Sequence, residues 1–240
     1  MRRPIFVLTL TLAACSILYE LVLAQTLGAL LGNTLLRYNV TIGLYLAALG
    51  AGALLSSRAP KQDPAATLAR IEWPLSLLGG AGPFLFFLWD AAVFRACRAA
   101  GVAFRGPLYQ SAIYGFDHAV IVAVGVLSGF ELPLLMRLAE EHRPDDGGVT
   151  VLAVDYAGTL LGAACFPLLL FPRLGLLGTA AAAGLVNALC GACLLWRSRG
   201  PARGRLAIAG ATLGAACLAA AALSCNAPLE RLVSASFTLP

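Results

Sequence analysis

Residues 129–162 read GFELPLLMRL (129–138), AEEHRPDDGG (139–148) and VTVLAVDYAGTLLG (149–162). Two long apolar segments flank a short charged loop, and each carries one carboxylate, Glu131 in the first and Asp155 in the second. If both segments cross a bilayer they form an antiparallel hairpin. At a rise of about 1.5 Å per residue the two acids then sit at similar depth, within about 10 Å of the surface on the loop side. A carboxylate inside a membrane span is costly and normally faces a partner, a cavity or a ligand.

The same pattern extends outward. The chain has 240 residues, 60% hydrophobic and 12% charged, with a mean hydropathy of +0.83; a soluble domain carries roughly 25% charged residues. Apolar runs of about 20 residues recur, which predicts a polytopic all-α membrane bundle. Short alternating segments of a transmembrane β-barrel are absent from the sequence. The net charge of +5 is almost wholly arginine. No basic run is interleaved with aromatics as a nucleic-acid surface requires, so no nucleic-acid partner is expected.

Seven spans are expected, over about 5–25, 39–57, 68–89, 112–136, 149–171, 174–196 and 206–225, with a tail at 226–240. Leu12–Cys15 resembles a lipoprotein cleavage box, but the chain stays apolar beyond it, so it reads as part of span 1. A connection is expected over Gly28–Asn39. In span 2, Gly43, Ala47 and Ala51 recur at four-residue spacing, as do Ala48 and Gly52, a pattern that lets helix backbones approach closely. Gly79–Pro83 is expected to kink or break span 3. Residues 90–108, with Arg95, Arg98 and Arg105 among apolar residues, read as an interfacial amphipathic segment. Basic residues number ten on one side (Arg2, Arg3, Arg58, Lys61, Arg137, Arg143, Arg197, Arg199, Arg203, Arg205) and six on the other (Arg37, Arg95, Arg98, Arg105, Arg173, Arg231). That bias places the N-terminus in the cytoplasm and the C-terminus outside.

Glu131 and Asp155, with Glu72 near the same face, form an inner acidic layer, and Glu20 and Asp117 an outer one. Such carboxylates either attract a cation in a low-dielectric site or pair with arginines such as Arg70 and Arg137. Asp117 and Glu131 are expected on one helix face, where they would line a polar track, or else to be two separately paired acids. His118 reads as a proton shuttle or as a packing residue. Cys190 and Cys193 have redox-motif spacing but lie in an Ala/Gly-rich helix without a second ligand pair, which favours packing. Cys97 and Cys225 are the only cysteines placed to pair. No catalytic triad, metal site or cofactor is expected.

Several stretches, in order, carry a resemblance: Tyr19-Glu20-Leu21, GALLGN from Gly28, TIGLYLAALGAGALLSS, GFELPLLMRL and VDYAGTLLGAACFPLLLFPRLGLLGTA. Here the chain resembles the multi-span N-terminal half of membrane-bound spermidine synthases, in which a soluble aminopropyltransferase domain follows. The sequence holds no glycine-rich nucleotide turn after a strand. The resemblance therefore implies a membrane module of polyamine synthesis, embedded in the lipid bilayer of the inner membrane. It would anchor an aminopropyltransferase-like soluble protein or bind and move a polyamine cation at Glu131, Asp155, Glu20, Asp117 and Tyr156. Two other readings stay open: the membrane part of a synthase whose catalytic domain lies outside this chain, and a structural subunit without ligand.

Overall fold

A computed structural model describes residues 2–32, 34–58, 63–103, 106–141 and 144–197, with Gly210 and Gly214. Every regular element among these residues is helical: α1 (Arg2–Leu31), α2 (Thr34–Ser56), α3 (Pro64–Ala99), α4 (Pro107–Gly129), α5 (Glu131–Glu140), α6 (Gly147–Cys165), a π-helical turn (Phe166–Leu170) and α7 (Phe171–Arg197). We call the end of the bundle that holds the start of α1 its base, and the opposite end its top.

Among the described residues, five continuous runs are long and apolar enough to cross a membrane, by length and composition: Pro4–Leu31, Leu35–Ser56, Pro64–Ala99, Pro107–Glu140 and Gly147–Trp196. This differs from the expected seven. The segments expected at 149–171 and 174–196 belong to one run of 50 residues, about 75 Å of helix at 1.5 Å per residue. That run folds back at Gly175, whose φ of 66° and ψ of −171° leave the helical region in a conformation that favours glycine. The span expected at 206–225 and the tail at 226–240 lie outside the described residues, apart from Gly210 and Gly214.

Close glycine contacts set the helix directions. A Cβ on Gly158 would meet the Leu10 carbonyl and Ala13, and one on Gly162 would meet Ala14 and Ile17, so α6 runs parallel to α1. Gly79 faces the Tyr19 ring and Gly82 faces Leu23, so α3 is also parallel to α1. Gly184 meets Ser76 and Gly80, while Gly191 meets Glu72, so α7 returns antiparallel along α3. Arg37 reaches Tyr114, Gly125 meets Ala48, and Gly129 meets Leu49, so α2 and α4 run parallel in constant register. In α2 it is therefore Ala48 and Gly52 that carry the close approach; Gly43, Ala47 and Ala51 face outward.

Three further differences from expectation have local causes. The connection expected over Gly28–Asn39 shrinks to the step between Leu31 and Thr34, because Gly32 turns the chain at φ 67°. Helix α3 is not broken at Gly79–Pro83; it runs through Pro74 and Pro83 to Ala99, and Gly79 and Gly82 serve instead as seats for Tyr19 and Leu23. Residues 90–99, expected within a separate interfacial segment at 90–108, continue α3. The start of α3 is held by Asp63, whose carboxylate accepts from the Ala66 amide at 2.9 Å, with Pro64 in the first turn.

Proline shapes the other two irregularities. Pro133 has no N–H to give the Gly129 carbonyl, and α4 stops there before α5 resumes. Pro167 cannot donate to residue 163, and the ladder slips to a π pattern in which the Phe171 amide bonds the Phe166 carbonyl. The core runs along the axis through Tyr19, Leu23, Tyr45, Leu75, Phe86 and Ile121.

Candidate functional site

Near the base, the polar interior begins at Glu72 on α3, which is completely buried. Asn187 Nδ2 on α7, also completely buried, donates to Glu72 Oε2 at 2.5 Å. The close approach of Gly191 to Glu72 brings α7 near enough for this bond. Glu131 on α5 is 4% exposed and lies within Coulomb range of Glu72 and Asp155. Cys15 and Tyr19 of α1 and Cys190 of α7 lie within Coulomb range of the same two buried glutamates. Measured along the helices, Glu72, Glu131 and Asp155 all stand about 12 Å from the base, as an inner acidic layer requires.

What distinguishes this layer is the imbalance of its hydrogen bonding. Glu72 Oε1, Glu131 Oε1, Asn187 Oδ1 and the Tyr19 hydroxyl are buried without a partner among the described residues. Buried polar groups are ordinarily hydrogen-bonded, and each one left bare costs about 1–3 kcal/mol. Of the arginines that could pair with the acids, Arg137 is engaged through one nitrogen only, its Nη1 being buried without a partner among the described residues, and Arg70 is turned away. Arg137 Nη2 donates to the Ser56 carbonyl at the end of α2 at 3.1 Å, and Arg70 is exposed. Among the described residues no group of three or more His, Cys, Asp or Glu side chains is placed to hold a metal ion.

Asp155 is only half-buried, and its neighbour Tyr156 is 66% exposed. Tyr156 therefore lies outside the enclosed cluster that Glu72 and Glu131 share. The buried member that completes that cluster is Asn187, and the signal available for it was a lone amide in the Ala/Gly-rich stretch GLVNALCG.

Towards the top, Glu20 of α1 is 7% exposed and neighbours Tyr38 and Tyr45 of α2. Asp117 of α4 is 1% exposed with both carboxylate oxygens unpartnered, and its charged neighbour is Asp90, which accepts a hydrogen bond from Tyr109. Asp117 and Glu131 thus face different neighbours on either side of the break at Phe130, not one continuous track. Arg37 donates to the Tyr114 hydroxyl and lies 4.1 Å from that ring's centroid. The His118 ring sits 2.7 Å from the Tyr114 carbonyl one turn back. Cys190 and Cys193 are free thiols, Cys193 exposed; Cys97 is also free, and Cys225 lies outside the described residues.

Between the two acidic layers, the Tyr45 hydroxyl donates to Ser128 Oγ at 2.9 Å and lies 3.1 Å from the Ser16 carbonyl and 3.2 Å from Ser16 Oγ. One phenol thereby ties α1, α2 and α4 together at mid-bundle.

The chain is 34% identical over 212 residues to polyamine aminopropyltransferase 1 of Streptomyces coelicolor, covering 87% of this chain and 36% of that protein. It is 32% identical over 223 residues to polyamine aminopropyltransferase 2 of Ralstonia nicotianae, covering 88% and 40%. It is 34% identical over 229 residues to the polyamine aminopropyltransferase of Mycobacterium tuberculosis, covering 90% and 39%. No family model matches, and no solved structure matches. Nearly the whole of this helical chain is thus similar to polyamine aminopropyltransferases, while it spans only 36–40% of the length of these three curated relatives.

Proposed function

We propose that the chain is an integral membrane module of polyamine synthesis, which anchors an aminopropyltransferase and offers its inner carboxylates to a polyamine cation. The observation that carries this reading is the similarity, over 87% of the chain, to a polyamine aminopropyltransferase. Five runs of membrane-spanning length support the location, with the N-terminus cytoplasmic in the inner membrane by the arginine bias. The C-terminus lies outside in this proposal only on the sequence expectation of a further span at 206–225, which falls outside the described residues. Buried acceptors with no donor at Glu72 and Glu131 support cation binding, since ammonium groups supply both charge and N–H donors.

The test is binding of radiolabelled spermidine and putrescine to the reconstituted chain, compared with Glu131→Gln and Asp155→Asn. Loss of binding in both variants supports the reading; unchanged binding in both removes the acids from it. Resistance of the chain to alkaline carbonate extraction from membranes tests the location separately.

A second reading has its own support. Because the chain spans roughly two fifths of these relatives, it is also fit to be the membrane part of a spermidine synthase whose catalytic domain lies outside this sequence. Co-purification of an aminopropyltransferase activity with the tagged chain from its native membranes would favour anchoring of a separate protein; activity in a longer product of the same gene would favour fusion.

A further inference from the structure

We propose that the Tyr45 hydroxyl is the central relay of a proton path through the bundle, with Glu72 and Glu131 on its base side and Glu20 on its top side. Three observations carry this. First, Tyr45 is completely buried, and its oxygen engages Ser16 and Ser128 on two other helices. Second, carboxylates flank this hydroxyl cluster along the axis. Ser128 precedes Glu131 by about one helical turn on the α4–α5 run, and Ser16 precedes Glu20 by one turn on α1. Tyr45 lies within Coulomb range of both Glu131 and Glu20. Third, Glu72 Oε1, Glu131 Oε1 and the Tyr19 hydroxyl are enclosed and without a partner among the described residues, free to exchange a hydrogen bond without first breaking another.

The chemistry fits a proton. Carboxyl and hydroxyl oxygens both donate and accept. Each accepts a proton on a lone pair and releases its own to the next oxygen, so no bond between heavy atoms changes and no co-reactant is consumed. The path requires the Glu131 and Glu20 side chains to rotate to close the remaining gaps. The groups reach from about 12 Å above the base, at Glu72, to about 16 Å below the top, at Glu20. They bridge the middle of the bundle, where the barrier to a charge is highest. The other titratable groups facing them include Cys15 and Tyr19 from α1, Tyr38 from α2, Asp155 from α6 and Cys190 from α7. The cation on α5, Arg137, directs Nη2 at the Ser56 carbonyl and leaves Nη1 buried without a partner among the described residues. Asn187 holds Glu72 in place and is a positioning residue.

The path rests on the chain crossing a membrane and is independent of polyamine binding. Its test uses the purified full chain in lipid vesicles with a trapped pH-sensitive dye and a valinomycin-imposed potassium potential, after carbonate extraction has confirmed insertion. Vesicles with the wild type should acidify faster than empty ones. Tyr45→Phe, Ser128→Ala and Glu131→Gln should each slow this by at least about tenfold, as loss of a positioned proton-transfer group does. The exposed Glu141→Gln should conduct as the wild type. Wild-type vesicles no faster than empty ones would overturn the proposal. So would undiminished conduction in Tyr45→Phe alone, or in Ser128→Ala and Glu131→Gln both. A chain that carbonate releases would remove the membrane reading and the path with it.

Discussion

The sharpest energetic consequence of the fold lies at the seam between α2 and α4. A methyl group added at Gly129 would stand 2.1 Å from the Leu49 carbonyl oxygen and 2.9 Å from the Ala53 amide nitrogen. A tolerable carbon–oxygen contact is about 3.3 Å, so the two backbones would have to separate by roughly 1 Å. Overpacking costs about 1–3 kcal/mol, and the obstacle here is backbone, which cannot swing aside as a side chain can. Alanine returns up to about 1 kcal/mol through its better helix propensity. Gly129→Ala should therefore destabilise the bundle by about 2 kcal/mol, roughly a thirtyfold shift in the folding equilibrium. Gly52→Ala meets the Val126 carbonyl at 2.0 Å across the same seam and should cost about as much. One separation relieves both clashes, so the double variant should cost clearly less than the two singles together. Gly50, on the outward side of α2 with nothing within 4 Å, is the control, and Gly50→Ala should be neutral or slightly stabilising. The assay is equilibrium unfolding in mixed micelles with increasing dodecyl sulfate, followed by the fluorescence of the three tryptophans. If Gly129→Ala unfolds within about 0.5 kcal/mol of Gly50→Ala, the two helices do not approach as described and the register of α2 on α4 fails.

Three other outcomes are open to measurement. Asn187→Ala removes the donor to Glu72 Oε2 and should destabilise by about 2–3 kcal/mol; the double variant Glu72→Leu with Asn187→Leu should recover most of that loss, because neither position then leaves a bare acceptor. Arg137→Ala removes the donor at the end of α2 and should cost about 1 kcal/mol in the same assay, with no selective loss of stability at the top of the bundle by hydrogen exchange. A membrane-permeant maleimide should modify the exposed Cys193 well before the buried Cys15, read by mass spectrometry of peptides; equal rates would contradict the placement of Cys15 inside the core.

Composition and the length of the apolar runs were enough to make the fold all-helical, because helices without charged faces over about 20 residues have few other stable forms. Gly158 and Gly162, one helical turn apart, make the close packing surface of α6 against α1. Sequence also singled out Glu72, Glu131, Glu20 and Asp117 as acids in apolar surroundings, and all four are buried. It could not say which side of such a helix turns inward. When every face is apolar, periodicity carries no preference, and so α2 showed two equivalent small-residue stripes of which tertiary contact selected Ala48 and Gly52. Nor could it place Asn187 against Glu72, 115 residues away, or set Tyr45 between Ser16 and Ser128, or turn Tyr156 outward. Those arrangements depend on the rotation and register of packed helices, which arise from backbone-to-backbone fit at a handful of glycines and from where Gly175 turns the chain back, and neither is written in any one segment alone.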